Sequence, residues 1–281
     1  MALSSMSASV DKNYANIEDF LISNYQRLRS HKGNEKHLYY HIEIVYMIAN
    51  MLFRNKKFGD SLDYLDTMKD LMLRNKGKFY DRFDLRWRML RALNLNYSGF
   101  PDNAIGLLIE GLDPKHANTE LSLDARLALT MCYFQQNQLE RAKNSYAKFY
   151  HTDKYYIERA GKEWVVKKNL MEILLHIELE HLDLAESRIR SFKRSYKRYL
   201  NNLGQSRVIA YLNLAEYYFK HPDEVTTKKF RAMVERSFDW KPLATEDIFV
   251  MSFYAWLKSK MESNPIYMTT LELVKRSQAV N

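Results

Sequence analysis

Cysteine is nearly absent. Cys132 stands alone in 281 residues, so no intrachain disulfide can form and every Cys-rich zinc or iron–sulfur site is excluded. That usage suits a reducing compartment. Eight glycines and five prolines fall far below the roughly 12% of average usage. An all-β fold therefore lacks its punctuation, turns with positive φ should be scarce, and long helices with short connections fit better. The same scarcity leaves no Gly-x-Gly-x-x-Gly or Gly-x-x-x-x-Gly-Lys phosphate cradle and no Gly-x-Ser-x-Gly elbow. The first ten residues have neither a basic n-region nor a sustained apolar run, so they do not read as a secretory signal. The densest apolar stretch, Ile42 to Phe53, is broken by Glu43 and Asn50 and is too short to span a bilayer. The expectation is a cytoplasmic protein with no membrane insertion.

What the chain does have is helical periodicity. Hydrophobic residues make up 46%, enough for a sizeable core. After a flexible start at residues 1–12, Ile17, Phe20, Leu21, Tyr25 and Leu28 recur at three- and four-residue intervals, and His31-Lys32-Gly33-Asn34 stops the helix. Amphipathic helices then alternate with tight turns. Pairs are expected at 36–55 with 59–75, 79–97 with 101–112, 118–136 with 138–151, 153–180 with 183–200, 203–220 with 224–238, and 244–262 with 266–277. Phe58, Phe100, Leu139, Leu182 and Val225 follow successive first helices at separations of 42, 39, 43 and 43 residues. A helix–turn–helix unit at a fixed period marks an α-solenoid, whose hairpins bury their apolar faces only by stacking. The reading is all-α: a right-handed α-solenoid of about six antiparallel hairpins, one domain over residues 13–281.

The third unit carries Leu129-Thr130 and Tyr133 in its first helix, then Ala142, Tyr146 and Phe149 in its second. This resembles the tetratricopeptide pattern Leu-Gly-x-x-Tyr followed by Ala-x-x-x-Phe, with Thr130 in place of glycine. A small residue at Ala142 lets two helices approach closely. The first unit is similar through Ile48-Ala49, Leu52, Ser61, Leu65 and Met68, and the fourth keeps Ala185, Ile189 and Phe192. The closing proline is missing and the period exceeds the family's. Residues from about 150 to 203 also look like uncharacterised bacterial proteins of this class.

The resemblance implies a non-catalytic scaffold that binds a protein or peptide in a concave groove lined by first helices. Tyr39, Tyr46, Arg88 and Arg126 are candidates to line it. Asn50 sits where one subset of the family clamps a terminal carboxylate, but Ala92 and Met131 occupy the matching steps in the next first helices, so that clamp is not expected. No cofactor or metal is expected either. His37 and His41 share a helical face without the glutamate of a zinc motif, and Glu178-x-x-His181 lacks the second copy that a di-iron bundle needs. Cys132 reads as a buried, inert thiol.

One helix is strongly cationic. Arg188, Arg190, Lys193, Arg194, Lys197 and Arg198 place six positive charges within eleven residues of a chain with net charge +9. On a helical wheel Ile189, Phe192, Tyr196, Tyr199 and Leu200 form the apolar arc, and Arg190, Lys193, Arg194, Lys197 and Arg198 lie opposite. Two readings stand side by side. The face docks an acidic protein or a phosphate, which would also admit a nucleic-acid-binding or regulatory module. Or it is a solvated face, paired with the preceding acidic stretch Glu172, Glu178, Glu180, Asp183 and Glu186.

Overall fold

A computed structural model gives the structure and describes residues 14–29, 35–112, 119–237 and 247–278. The start expected to be flexible, residues 1–12, and the stop at 31–34 lie outside the described residues. Among the described residues there are fourteen α-helices and no strand. They are α1 (Tyr14–Arg29), α2 (Glu35–Arg54), α3 (Phe58–Gly77), α4 (Tyr80–Tyr97), α5 (Pro101–Gly111), α6 (Glu120–Gln135) and α7 (Leu139–Tyr146). After them come α8 (Asp153–Ala160), α9 (Lys162–Glu178), α10 (Leu182–Asn202), α11 (Ser206–Lys220), α12 (Lys228–Ser237), α13 (Ile248–Glu262) and α14 (Ile266–Gln278). The chain divides into two compact units, one of Met1–Cys132 with Ser277–Asn281 and one of Tyr133–Arg276.

Within each unit, helices pack on their chain neighbours. In the first, α1 to α5 pack in sequence and α2 also meets α4. In the second, α9 packs against α7, α8 and α10, and α11 lies between α10 and α12.

One turn makes four of the hairpins. A residue in the left-handed region ends the first helix: Lys56 (φ 60°), Gly99 (φ 100°), Asn137 (φ 56°) and Glu180 (φ 57°). The next N–H reaches back five residues, from Lys57 to Leu52, Phe100 to Leu95, Gln138 to Tyr133 and His181 to His176, each at 2.9 Å. This is the six-to-one bond of a Schellman motif, which satisfies a carbonyl the helix end leaves free. Four residues later the second helix makes its first bond, from the N–H of Ser61, Ala104, Ala142 or Ala185 to the carbonyl of Lys57, Phe100, Gln138 or His181. All four of these small residues are fully buried. A larger side chain there would hold the two helices apart. Ser61 also donates its hydroxyl to the Ala49 carbonyl at 2.8 Å, so the polar atom is satisfied where α2 and α3 come closest.

The expectation that positive-φ turns would be scarce is therefore corrected. Three of the four turns place lysine, asparagine or glutamate in the left-handed region, a conformation costing roughly 1–2 kcal/mol for a residue with a Cβ. The helix expected over 153–180 is also two helices. Gly161 breaks it with φ 87°, and Thr152 caps α8 by accepting from the Tyr155 N–H. The bend sets Phe149, Tyr156 and Trp164 into one aromatic cluster with ring centroids 5.5–5.9 Å apart.

Candidate binding surfaces

In the first unit the first helices α2 and α4 lie side by side, joined by polar pairs one repeat apart. Tyr39 donates its hydroxyl to Glu43 at 2.9 Å. Arg82, 43 residues on from Tyr39, donates to the same hydroxyl at 3.1 Å and sets its guanidinium 4.6 Å from the ring centroid. Arg86, 43 residues on from Glu43, pairs with it at 3.0 Å. Phe79 and Phe83 pack against Tyr39 and hold its ring in place. Alongside, α2 exposes Tyr40 and Met47. The result is a partly exposed strip of aromatic rings and arginines.

The residues expected to line a groove are placed differently from one another. Tyr39 belongs to this strip. Tyr46 is buried, and burial pushes its phenol up to about 12. Asn50 is half-buried, and its side-chain oxygen has no hydrogen-bond partner among the described residues. Arg88 turns towards α5, bonding Asp84 at 2.7 Å and reaching Glu110. Arg126 is half-buried in α6, with its carbonyl accepting from Thr130. Glu43, Arg82 and Arg86 were missed. The signal for them was the period itself, since adding the repeat length to Tyr39 and Glu43 lands on the two arginines.

In the second unit the corresponding side of the first helices is covered. Helix α13 lies along α9 and α11. Asp247, which caps α13 through the N–H groups of Phe249 and Val250, sits 3.9 Å from Lys167 near the start of α9. At the other end, the Trp256 indole N–H donates to Glu178 at 2.8 Å, and Lys260 donates to the same carboxylate at 2.7 Å. Tyr211 of α11 donates to the Phe253 carbonyl and touches the Trp256 ring edge-on. Gln135 reaches Ser252 at 3.0 Å. Ala255, Trp256 and Leu257 are all fully buried, and three consecutive residues point in three directions around a helix. The middle of the helix is therefore largely enclosed, while its first turn, Ile248 to Val250, is half-buried. Glu178, once half of a candidate metal motif, is the anchor for this helix, and among the described residues no three metal-ligating side chains converge. Cys132 is buried, which pushes its thiol up to about 12.

No protein-family model, curated protein or solved structure matches the chain. Its surfaces have to be read from their own chemistry.

A second polar network ties α8, α9 and α10. Lys168, almost fully buried, sits 3.2 Å from Asp153 and donates to the Tyr146 hydroxyl. Asp153 also accepts from Asn169 at 2.7 Å and from Tyr196 at 2.8 Å. Burial alone would raise the Asp153 carboxyl. The Asn169 and Tyr196 hydrogen bonds and the Lys168 charge outweigh it and hold the group below its ordinary value.

On α10 the apolar arc packs inward, with Ile189, Phe192, Tyr196 and Leu200 buried. The cations divide. Arg188 pairs with Glu172 at 3.0 Å, Lys193 with Glu216 at 2.7 Å, and Arg190 with Glu186 at 3.4 Å. Arg194, Lys197 and Arg198 are exposed and make no ion pair among the described residues. No described helix is long and apolar enough to cross a membrane.

Proposed function

We propose that the chain is a non-catalytic helical-repeat scaffold, a right-handed solenoid of about six tetratricopeptide-like hairpins, that binds a protein segment on the α2–α4 face. The observation carrying this reading is the Tyr39–Arg82 and Glu43–Arg86 pairing, in which equivalent positions of consecutive first helices present rings and guanidinium groups beside exposed Tyr40 and Met47. Tyrosine and arginine are the residues that most often dominate protein interfaces. Repeat proteins collect such residues on one face because each hairpin contributes the same positions. The cationic edge favours a segment carrying carboxylates, which Arg82 and Arg86 can take in fork geometry. The face of α9 and α11 holds α13 instead, so the partner is assigned to the first unit.

The test is selection from a displayed peptide library against the intact protein. Enriched peptides should carry acidic and aromatic residues, and the Arg82→Glu/Arg86→Glu variant should weaken them about 30-fold, the equivalent of one 2 kcal/mol anchor. Circular dichroism confirms that the variant keeps its helices. Peptides that bind the variant as well as the parent would show that the face is not the site.

A further inference from the structure

Two second helices carry rows of opposite charge that the fold leaves unused. On α10 the row is Arg194, Lys197 and Arg198, with the loosely paired Arg190 at its start. On α3 it is Asp60, Asp63 and Asp70, all exposed and without an ion-pair partner among the described residues; Asp66, on the same side, bonds Arg91. Spacings of three and four residues keep each row on one helical face. At 1.5 Å per residue the acidic row is about 15 Å long and the basic row from Arg190 about 12 Å. Each ends near an exposed leucine, Leu73 and Leu203.

Like charges three or four residues apart destabilise their own helix by a few tenths of a kcal/mol per pair. Each row carries this repulsion along its own helix, and a row of opposite charge relieves it. The surroundings of the basic row favour a carboxylate helix over nucleic acid. Phe192 and Tyr196 are buried and offer no ring for a base to stack on.

We propose that the α10 face docks the α3 face of a second copy of this chain. The two surfaces differ, so the contact is heterologous. Its salt dependence follows from two opposing effects. The net charge of +9 pushes copies apart at low ionic strength, where the screening length is about 30 Å. Near 0.1 M the length falls to about 10 Å, which damps the overall repulsion and leaves paired charges in contact. At 1 M, about 3 Å, the pairs are screened too. Association should pass through a maximum at intermediate salt, whereas association through apolar surface strengthens as salt rises.

Sedimentation velocity on the full chain tests this. The parent protein should gain mass with concentration in about 0.1 M salt, and lose that gain both at about 0.01 M and at about 1 M. Reversing the basic row (Arg194→Glu, Lys197→Glu, Arg198→Glu) or the acidic row (Asp60→Lys, Asp63→Lys, Asp70→Lys) should weaken association at least about tenfold. An equimolar mixture of the two reversed proteins should restore it, because each then supplies what the other has lost. The neutral variants, with Gln and Asn in these positions, should show an intermediate loss and guard against misfolding. A parent that stays monomeric throughout, reversals without effect, or a mixture that does not associate overturns the proposal. So does a uridine oligonucleotide that binds the basic row while the protein remains monomeric.

Discussion

The two units use the same turn and the same small residue behind it, yet they treat the faces of their first helices in opposite ways. In the first unit, α2 and α4 meet through Tyr39, Glu43, Arg82 and Arg86 at the surface. In the second, α9 and α11 share a helix whose middle is buried, and two of the charged groups of α9, Glu178 and Lys168, are nearly inaccessible. A repeat therefore fixes the hairpin but not what its first helices present. In the second unit a later, largely apolar stretch of chain fills the face; in the first, the α2–α4 face keeps its charged pairs.

The contrast is broken most directly at Trp256. Its ring is fully buried and its N–H is bonded to Glu178. Trp256→Ala leaves a cavity and strands the carboxylate's hydrogen bond, so the loss should be about 3–5 kcal/mol, read from urea unfolding. A loss below about 1 kcal/mol would mean that α13 rests on α9 and α11 as a loose cover, and the two units would differ less than their contacts indicate.

Most of the helix order was legible, because three- and four-residue periodicity is a property of neighbours in sequence. The turn markers were read less well. Phe58 and Val225 are buried, but Phe100 and Leu182 are exposed. What the geometry preserves is the small residue at Ser61, Ala104, Ala142 and Ala185; the sequence pattern includes Ser61, Ala142 and Ala185, and points to close helix approach at Ala142. Gly161 escaped notice because one glycine in a helical pattern is ordinarily tolerated. The enclosure of α13 was not legible either. Apolar residues on all faces of Ile248–Glu262 imply burial, but nothing in sequence says that the cover is α9 and α11. The surface strip was half legible. Tyr39 was chosen as a tyrosine on a first helix, whereas Arg82 and Arg86 become visible only when the period is used to carry positions from one helix to the next.

Acid should sharpen the contrast. The Asp153 carboxyl is held below its ordinary value in the folded second unit, so the unfolded chain takes up its proton first as pH falls. Its contribution is fully present above the unfolded value, near 3.9, and is lost as pH drops through the folded one. Asp153→Asn should flatten the dependence of stability on pH below about 4 and leave the proposed peptide binding at neutral pH unchanged. If the slope is the same in parent and variant, the carboxylate network of the second unit is not what acid attacks.

The smallest effect concerns the feature the units share. Gly99 in the first unit and Glu180 in the second occupy the same left-handed position of the same turn. Gly99 has open space where a Cβ would go, so Gly99→Ala tests backbone conformation without a clash and should destabilise by about 1 kcal/mol. Glu180 is exposed, and Glu180→Gly should relieve roughly 1–2 kcal/mol of left-handed strain while loosening the unfolded chain by about 0.5–1 kcal/mol, a net gain of up to about 1.5 kcal/mol. Opposite signs in thermal unfolding mean that one backbone rule governs both units and that they diverge only in what covers their first helices. Equal signs would mean that the Glu180 side chain itself holds its turn, and the four turns would then be alike in shape but not in cause.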